Sequence, residues 1–212
     1  RPAAQEPYAR IRIPESYKIG NTYSILVFGL KAEDFEYAYQ MDGPADQARG
    51  LLFNRKHTLL DPYAKAVTGQ RNWGEKPEGG KDFVYKARVV QSDFDWGRYR
   101  NLNYKFEDLV IYEMHVRGFT KDASSGVKGG GTFEGLRQKI PYLKDLGINA
   151  VELMPIFEFD EMESARVVDG VQLYNYWGYN TVSFFAPNTS YAFHQEHNHE
   201  GDELKRLIRE LK

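Results

Sequence analysis

The hydrophobic and polar positions of this chain follow two different rhythms that meet near residue 105. Upstream the rhythm is short. Tyr23-Ser-Ile-Leu-Val-Phe28 is rich in β-formers, and Phe35-Glu-Tyr-Ala-Tyr-Gln40 alternates apolar with polar positions as a half-buried strand does. Asp42-Gly43-Pro44 ends that second strand as a turn. Leu59 and Leu60 make a brief apolar step closed by Asp61-Pro62, and Phe83–Val90 is a further strand candidate. Short strands separated by turn chemistry predict a sandwich-like module. Residues 1–20 carry little patterned hydrophobicity, so its first strands are expected to lie outside the sequence.

From Asp108 the period changes. Leu109–Val116 is mostly apolar, as expected for a strand buried on both faces. After Gly129-Gly130-Gly131, Thr132 suits a helix cap, with Phe133, Leu136 and Ile140 on one face. Pro141 restarts the helix with Leu143 and Leu146, and Gly147 suits its stop. Ile148–Met154 predicts the next strand, Glu158 to Asp169 a long loop, and Thr181–Ala186 a short third strand. Asp202 is a plausible cap for a last helix carrying Leu204, Leu207, Ile208 and Leu211. Alternating strands and helices predict βαβ units and a parallel sheet. A closed (β/α)₈ barrel takes roughly 250 residues. The segment after 105 has room for about three of the eight units, and it ends inside an amphipathic helix. The chain is therefore expected to be part of a longer protein.

Composition narrows the function classes. The 212 residues suffice for one large domain or two small ones, and 42% hydrophobic with 27% charged residues is ordinary for a globular protein. A formal charge of −2 excludes nucleic acid as the expected partner, because phosphate binding needs a basic surplus. No apolar run approaches the ~20 residues of a membrane span, and the first residues have no apolar signal core, so no membrane partner is expected. Cysteine is absent, which removes disulfides and thiolate metal sites and tilts the expected compartment toward a reducing one. The aromatic share of 15% is high. Such rings fill cores, and they also stack on the apolar faces of sugars.

Several groups invite a chemical reading. Glu113 and Glu152 lie on predicted strands of the parallel sheet, where a charge pointing inward must be paired. Glu158, Asp160, Glu161 and Glu163 fall on the predicted long loop and read as a solvated acidic segment. His194, His197 and His199 crowd into six residues, but the spacing fits no helical zinc motif and Gly201 argues against a helix there; a solvated loop is expected, with no metal and no cofactor. Gly129–Gly131 lacks the Lys-Ser/Thr pair of a phosphate loop and reads as a flexible connection.

Longer motifs carry a resemblance. Asp108-Leu-Val-Ile-Tyr-Glu-Met-His-Val-Arg-Gly-Phe-Thr120 resembles the first barrel strand of isoamylases and bacterial glycogen-debranching enzymes of the α-amylase family (glycoside hydrolase family 13). Gly131–Leu136, Tyr142–Gly147 and Val151–Pro155 resemble that family's first helix and second strand. Asn175-Tyr-Trp-Gly-Tyr-Asn-Thr181 followed by Phe184-Phe-Ala-Pro187 resembles its signature after the second helix, in the isoamylase rather than the pullulanase form. Met41–Pro44 and Leu59–Ala64 resemble the end of the starch-binding sandwich, of the family 48 type, that precedes these barrels. The resemblance implies a partial β-sandwich carbohydrate-binding module over residues 1–105, then the start of a TIM (β/α)₈ barrel over 106–212. It implies hydrolysis of α-1,6 branch bonds in glycogen, amylopectin or limit dextrins, with retention, in a bacterial cytoplasm or a plant plastid. A non-catalytic glucan-binding subunit and a pullulanase or branching-enzyme relative remain alternatives. The family's catalytic carboxylates sit on later barrel strands, so no catalytic residue is assigned here. Tyr179 matches the tyrosine that stacks on the glucose at the cleavage point. Trp177 and Tyr176 are further candidates, one of them expected to pack inward, and Asn175 is expected to hold the loop's shape.

Overall fold

A computed structural model describes residues 6–69, 72–75, 84–98, 102–194 and 198–212. The first half is built of two-residue strands joined in antiparallel pairs: β1 (Lys18–Ile19) with β2 (Thr22–Tyr23), β3 (Glu36–Tyr37) with β6 (Ala87–Arg88), and β4 (Ala45–Asp46) with β5 (Leu51–Leu52). Tyr39 bridges Leu59 beyond β3. Arg88 reaches Glu36 across the β3–β6 pair at 3.3 Å, with Lys86 at 3.7 Å, so the buried Glu36 carboxylate is matched by two cations. The strand expected over Tyr23–Phe28 is a correction: only Tyr23 pairs. Leu26 and Phe28 stand exposed, because β propensity without a neighbouring strand leaves the backbone to water. Of the strand expected over 83–90 only Ala87–Arg88 is ladder, and Phe83 lies outside the described residues.

The second half opens on β7 (Ile111–Met114). The strand stops two residues before the expected end, because His115 turns the chain and its Nδ1 accepts from Gly118 N–H at 3.0 Å, capping α1 (Val116–Thr120). Thr132 caps α2 (Phe133–Arg137) through Gly135 N–H, and Pro141 lies in the first turn of α3 (Ile140–Asp145). The Gly129–Gly131 connection is packed rather than flexible: Gly131 N–H donates to the buried Thr120 Oγ1 at 2.8 Å. Next come β8 (Ala150–Leu153) and β9 (Phe157–Phe159). β8 lies parallel to β7 in the register Ile111↔Ala150 to Met114↔Leu153. Asn149 fastens the start of the pair, accepting from Val110 N–H at 2.7 Å and donating to the Asp108 carbonyl at 2.8 Å.

After β9 the expected long loop contains a hairpin, β10 (Arg166–Val168) with β11 (Val171–Leu173). Asp169 at φ 50° and Gly170 at φ 78° give the left-handed pair that a two-residue type I′ turn requires. The third strand, β12 (Thr181–Pro187), runs antiparallel to β9 instead of joining the parallel pair. Helix α4 (His199–Leu211) begins at Asn198, earlier than the Asp202 cap expected, and Gly201 lies inside it. Its Leu207 completes a buried core with Met114, Val116, Phe133, Leu136, Leu143, Phe159 and Tyr191. Arg137 on α2 joins Glu134 at 2.7 Å and Glu210 on α4 at 2.8 Å, pinning the two helices together.

Contacts cross residue 105. Ala64, Val67 and Ala87 form one cluster with Ala186 of β12. Trp73 enters the second half's core, facing Phe159, Tyr176 and Tyr191 at 5.8, 5.8 and 6.1 Å between ring centres. No helix among the described residues is long and apolar enough to cross a membrane.

Candidate functional site

The loop 175–180 crosses the carboxyl end of β7, the end at which parallel βα units carry their binding groups. Its alternate positions are tied down. Asn175 N–H donates to the Glu161 carbonyl at 2.9 Å, and its side chain donates to the Asp160 carbonyl at 3.4 Å. The Tyr176 carbonyl faces His115 Nε2 at 2.7 Å. Gly178 is buried against the Phe159 ring, and Asn180 donates to Glu163. What remains free is the pair between these ties. Trp177 is 64% exposed and Tyr179 67% exposed, with their ring centres 6.5 Å apart.

Of the four residues singled out in the sequence, Asn175 therefore shapes the loop's entry and Trp177 and Tyr179 stand outward. Tyr176 is turned half inward: it is 40% exposed, but one face of its ring lies on the His115 imidazole at 4.2 Å and 12°, and Trp73 lies edge-on to it at 5.8 Å. Arg117 lies over the other side of this cluster, 4.7 Å above the Trp73 ring, a cation–π contact. Burial lowers the Arg117 pKa.

Under the loop lie two carboxylic acids that the sequence reading placed in solvent. Glu158 and Glu161 are fully buried. Glu158 accepts from Thr189 N–H at 2.8 Å, and Glu161 accepts from Gly74 N–H at 2.9 Å. Burial pushes Glu158 up to about 8 and Glu161 up to about 7, against the hydrogen bonds they accept. The reason for the correction is β9. A strand sends successive side chains to opposite faces, and here both faces are covered: Phe159 enters the core, while Gly69 and Thr189 close over Glu158 and Gly74 covers Glu161 just beyond the strand. Asp160 is half-buried and Glu163 exposed.

The opposite correction applies to Glu113 and Glu152. They stand directly across from each other in the β7–β8 register, and both are exposed. Tyr112, Met114, Val151 and Leu153 take the face that packs on the helices. Of the histidine cluster, His194 meets Glu203 at 3.0 Å, His199 starts α4, and His197 lies outside the described residues. Among the described residues no group of three His, Asp or Glu is placed to hold a metal ion.

Trp73 and His115 are the residues that sequence reasoning missed. A lone tryptophan in a polar, glycine-bearing stretch gives no periodic signal, and a histidine ending a strand reads as one more strand residue.

No protein-family model matches the chain. Among curated proteins, the chloroplastic isoamylase 3 of Oryza sativa is 44% identical over 179 residues, which are 82% of this chain and 23% of that protein. The glycogen debranching enzyme of Yersinia enterocolitica is 34% identical over 203 residues, 88% of this chain and 29% of that protein. Among solved structures, pullulanase type I of Bacillus subtilis, complexed with maltose, superposes with a TM-score of 0.56 at 28% identity, over 75% of this chain and 22% of its own. By sequence the chain is similar to isoamylases and glycogen-debranching enzymes, and it spans about a quarter of the length of the relatives it matches.

Proposed function

We propose that the protein carrying this chain hydrolyses α-1,6 branch bonds in a branched α-glucan such as glycogen, amylopectin or a limit dextrin, with retention of configuration. In that reaction the bond from C1 to the branch O6 breaks, and water supplies hydroxyl to C1 and a proton to O6. A retaining glycosidase needs two carboxyl groups roughly 5 Å apart, and no residue of this chain is assigned to that pair. Residues 106–212 are the opening βα units of a (β/α)₈ barrel, and residues 1–105 part of a starch-binding sandwich that packs on it.

The observation that carries the reading is the outward pair Trp177 and Tyr179, on a loop immobilised at the carboxyl end of β7. Flat rings presented on a rigid loop cover the C–H face of a glucose unit and orient it without losing much entropy on binding. The relatives' names support the substrate class, and the chloroplastic isoamylases among them support a plastid; a bacterial cytoplasm is the alternative compartment. The protein is incubated with amylopectin and the products are separated by chain length. Release of linear chains is expected. Binding without release makes it a glucan-binding subunit, and release of a reducing sugar from linear amylose instead overturns the bond assignment.

A further inference from the structure

The His115 ring offers two nitrogens to two neighbours with opposite demands. Gly118 N–H can only donate, so Nδ1 must present a lone pair across their 3.0 Å contact. The Tyr176 carbonyl can only accept, so Nε2 must carry the hydrogen across 2.7 Å. One form satisfies both, the neutral ring with its hydrogen on Nε2. A protonated ring would set Nδ1–H against Gly118 N–H, donor against donor.

The surroundings reinforce this form. His115 is 8% exposed. Tyr176 lies flat on the ring, while the edges of Trp73 and Tyr191 close it at 6.3 and 5.8 Å. The Tyr191 hydroxyl sits 3.2 Å from Nε2, where it shares the same hydrogen. The ionisable groups facing it are Tyr176 and Tyr191, whose hydroxyl pKa values are raised by desolvation, and Arg117, a cation that opposes a second positive charge. Burial, and then Arg117, lower the imidazole pKa against the Tyr176 carbonyl.

We propose that His115 is a positioning residue: its neutral Nε2–H form clamps the Tyr176 carbonyl to the end of β7 and so fixes the angle at which Trp177 and Tyr179 meet a bound glucan. Its bearing on glucan rests on the function proposed above; the clamp itself does not. The ties at Asn175 and Asn180 hold the two ends of the loop. The His115 tie, made by a ring that is itself 8% exposed, grips the residue next to Trp177.

Two substitutions separate the roles of the two nitrogens in the protein that carries this chain. His115→Asn keeps an acceptor near the Nδ1 position for Gly118 and is too short to reach Tyr176. His115→Gln places an amide donor at the Nε2 position. With maltotetraose as the probe, His115→Asn is expected to weaken binding about three- to tenfold, the worth of one hydrogen bond, and His115→Gln to recover most of it. Amide exchange at residues 176–179 should quicken in His115→Asn and not in His115→Gln. In the native protein at pH 8, nitrogen NMR should show one protonated and one bare ring nitrogen, with the hydrogen on Nε2. A ring that carries its hydrogen on Nδ1, or amide exchange that is the same in His115→Asn as in the native protein, overturns the clamp. If the native protein binds no maltotetraose, the glucan reading falls while the exchange and NMR results still decide the clamp.

Discussion

Replacing Gly178 by alanine adds one methyl group between the two candidate sugar-binding rings, and its cost follows from the geometry. Gly178 has φ 79°, where an L-residue pays roughly 1–2 kcal/mol for its Cβ. That Cβ would stand within 2.9 Å of three ring carbons of Phe159, where real Cβ atoms essentially never come. The ring cannot swing aside, because it is 0% exposed and braced by Trp73 at 5.8 Å and Tyr191 at 6.2 Å. Overfilling a packed core costs about 1–3 kcal/mol more. Gly147→Ala is the control. Its φ is 84°, but nothing lies within 4 Å of the added Cβ, so only the backbone cost applies. Loss of unfolded-state freedom is common to both substitutions and cancels. Gly178→Ala should therefore be less stable than Gly147→Ala by about 2 kcal/mol, or about 4–8 °C in melting temperature for a chain of this size. Calorimetry or urea unfolding measures it. Equal stabilities for the two variants would refute the claim that the loop is seated on the Phe159 ring.

Other outcomes follow from the same contacts. Native Glu158 and Glu161 hold their protons to about 8 and about 7, whereas in the unfolded chain they lose them near the ordinary 4.5. Native protein therefore binds more protons than unfolded protein between these values, and stability should fall as pH rises from about 5 to 9, by an amount on the order of a few kcal/mol. Glu158→Gln should flatten that profile in urea titrations; a stability that climbs over the same range contradicts it. Tyr179→Ala should lower turnover on a branched glucan at least tenfold while shifting the melting temperature little, since that ring buries little area; unchanged kinetics make it a bystander. Thr132→Ala removes the α2 cap and should cost about 1 kcal/mol in unfolding measurements, with no effect on maltotetraose binding.

Local chemistry explains what was legible in the sequence. The path from β7 through α2 and α3 to β8 was readable because each boundary is written in adjacent residues: Thr132 as a cap, Pro141 in a first turn, Gly147 as a stop. The β10–β11 hairpin was also written locally, in Asp169-Gly170, but the charged residues around it suggested a loop. The antiparallel pairing of β12 with β9 was not readable. It depends on which sheet edge the returning chain meets, which is a matter of tertiary packing. The burial of Glu158 and Glu161 escaped for the same reason, because the groups that cover them, Gly69 and Gly74, are over 80 residues away in sequence. At the candidate site the outward rings were named from the motif, whereas Trp73 belongs to no motif and His115, although inside the Asp108–Thr120 motif, reads there as one more strand residue.

Trp73 has a consequence for how this sequence can vary. Its indole fills space bounded by Phe159, Tyr176 and Tyr191, so an upstream residue completes the floor beneath a downstream loop. A protease cut between residues 90 and 102 would leave that wedge in place, held by contact alone. Grafting the downstream half onto another upstream partner would leave a void the size of an indole beneath the loop that carries Trp177 and Tyr179. Exchange between relatives is therefore expected to preserve binding only when the segment around residue 73 travels with residues 157–191.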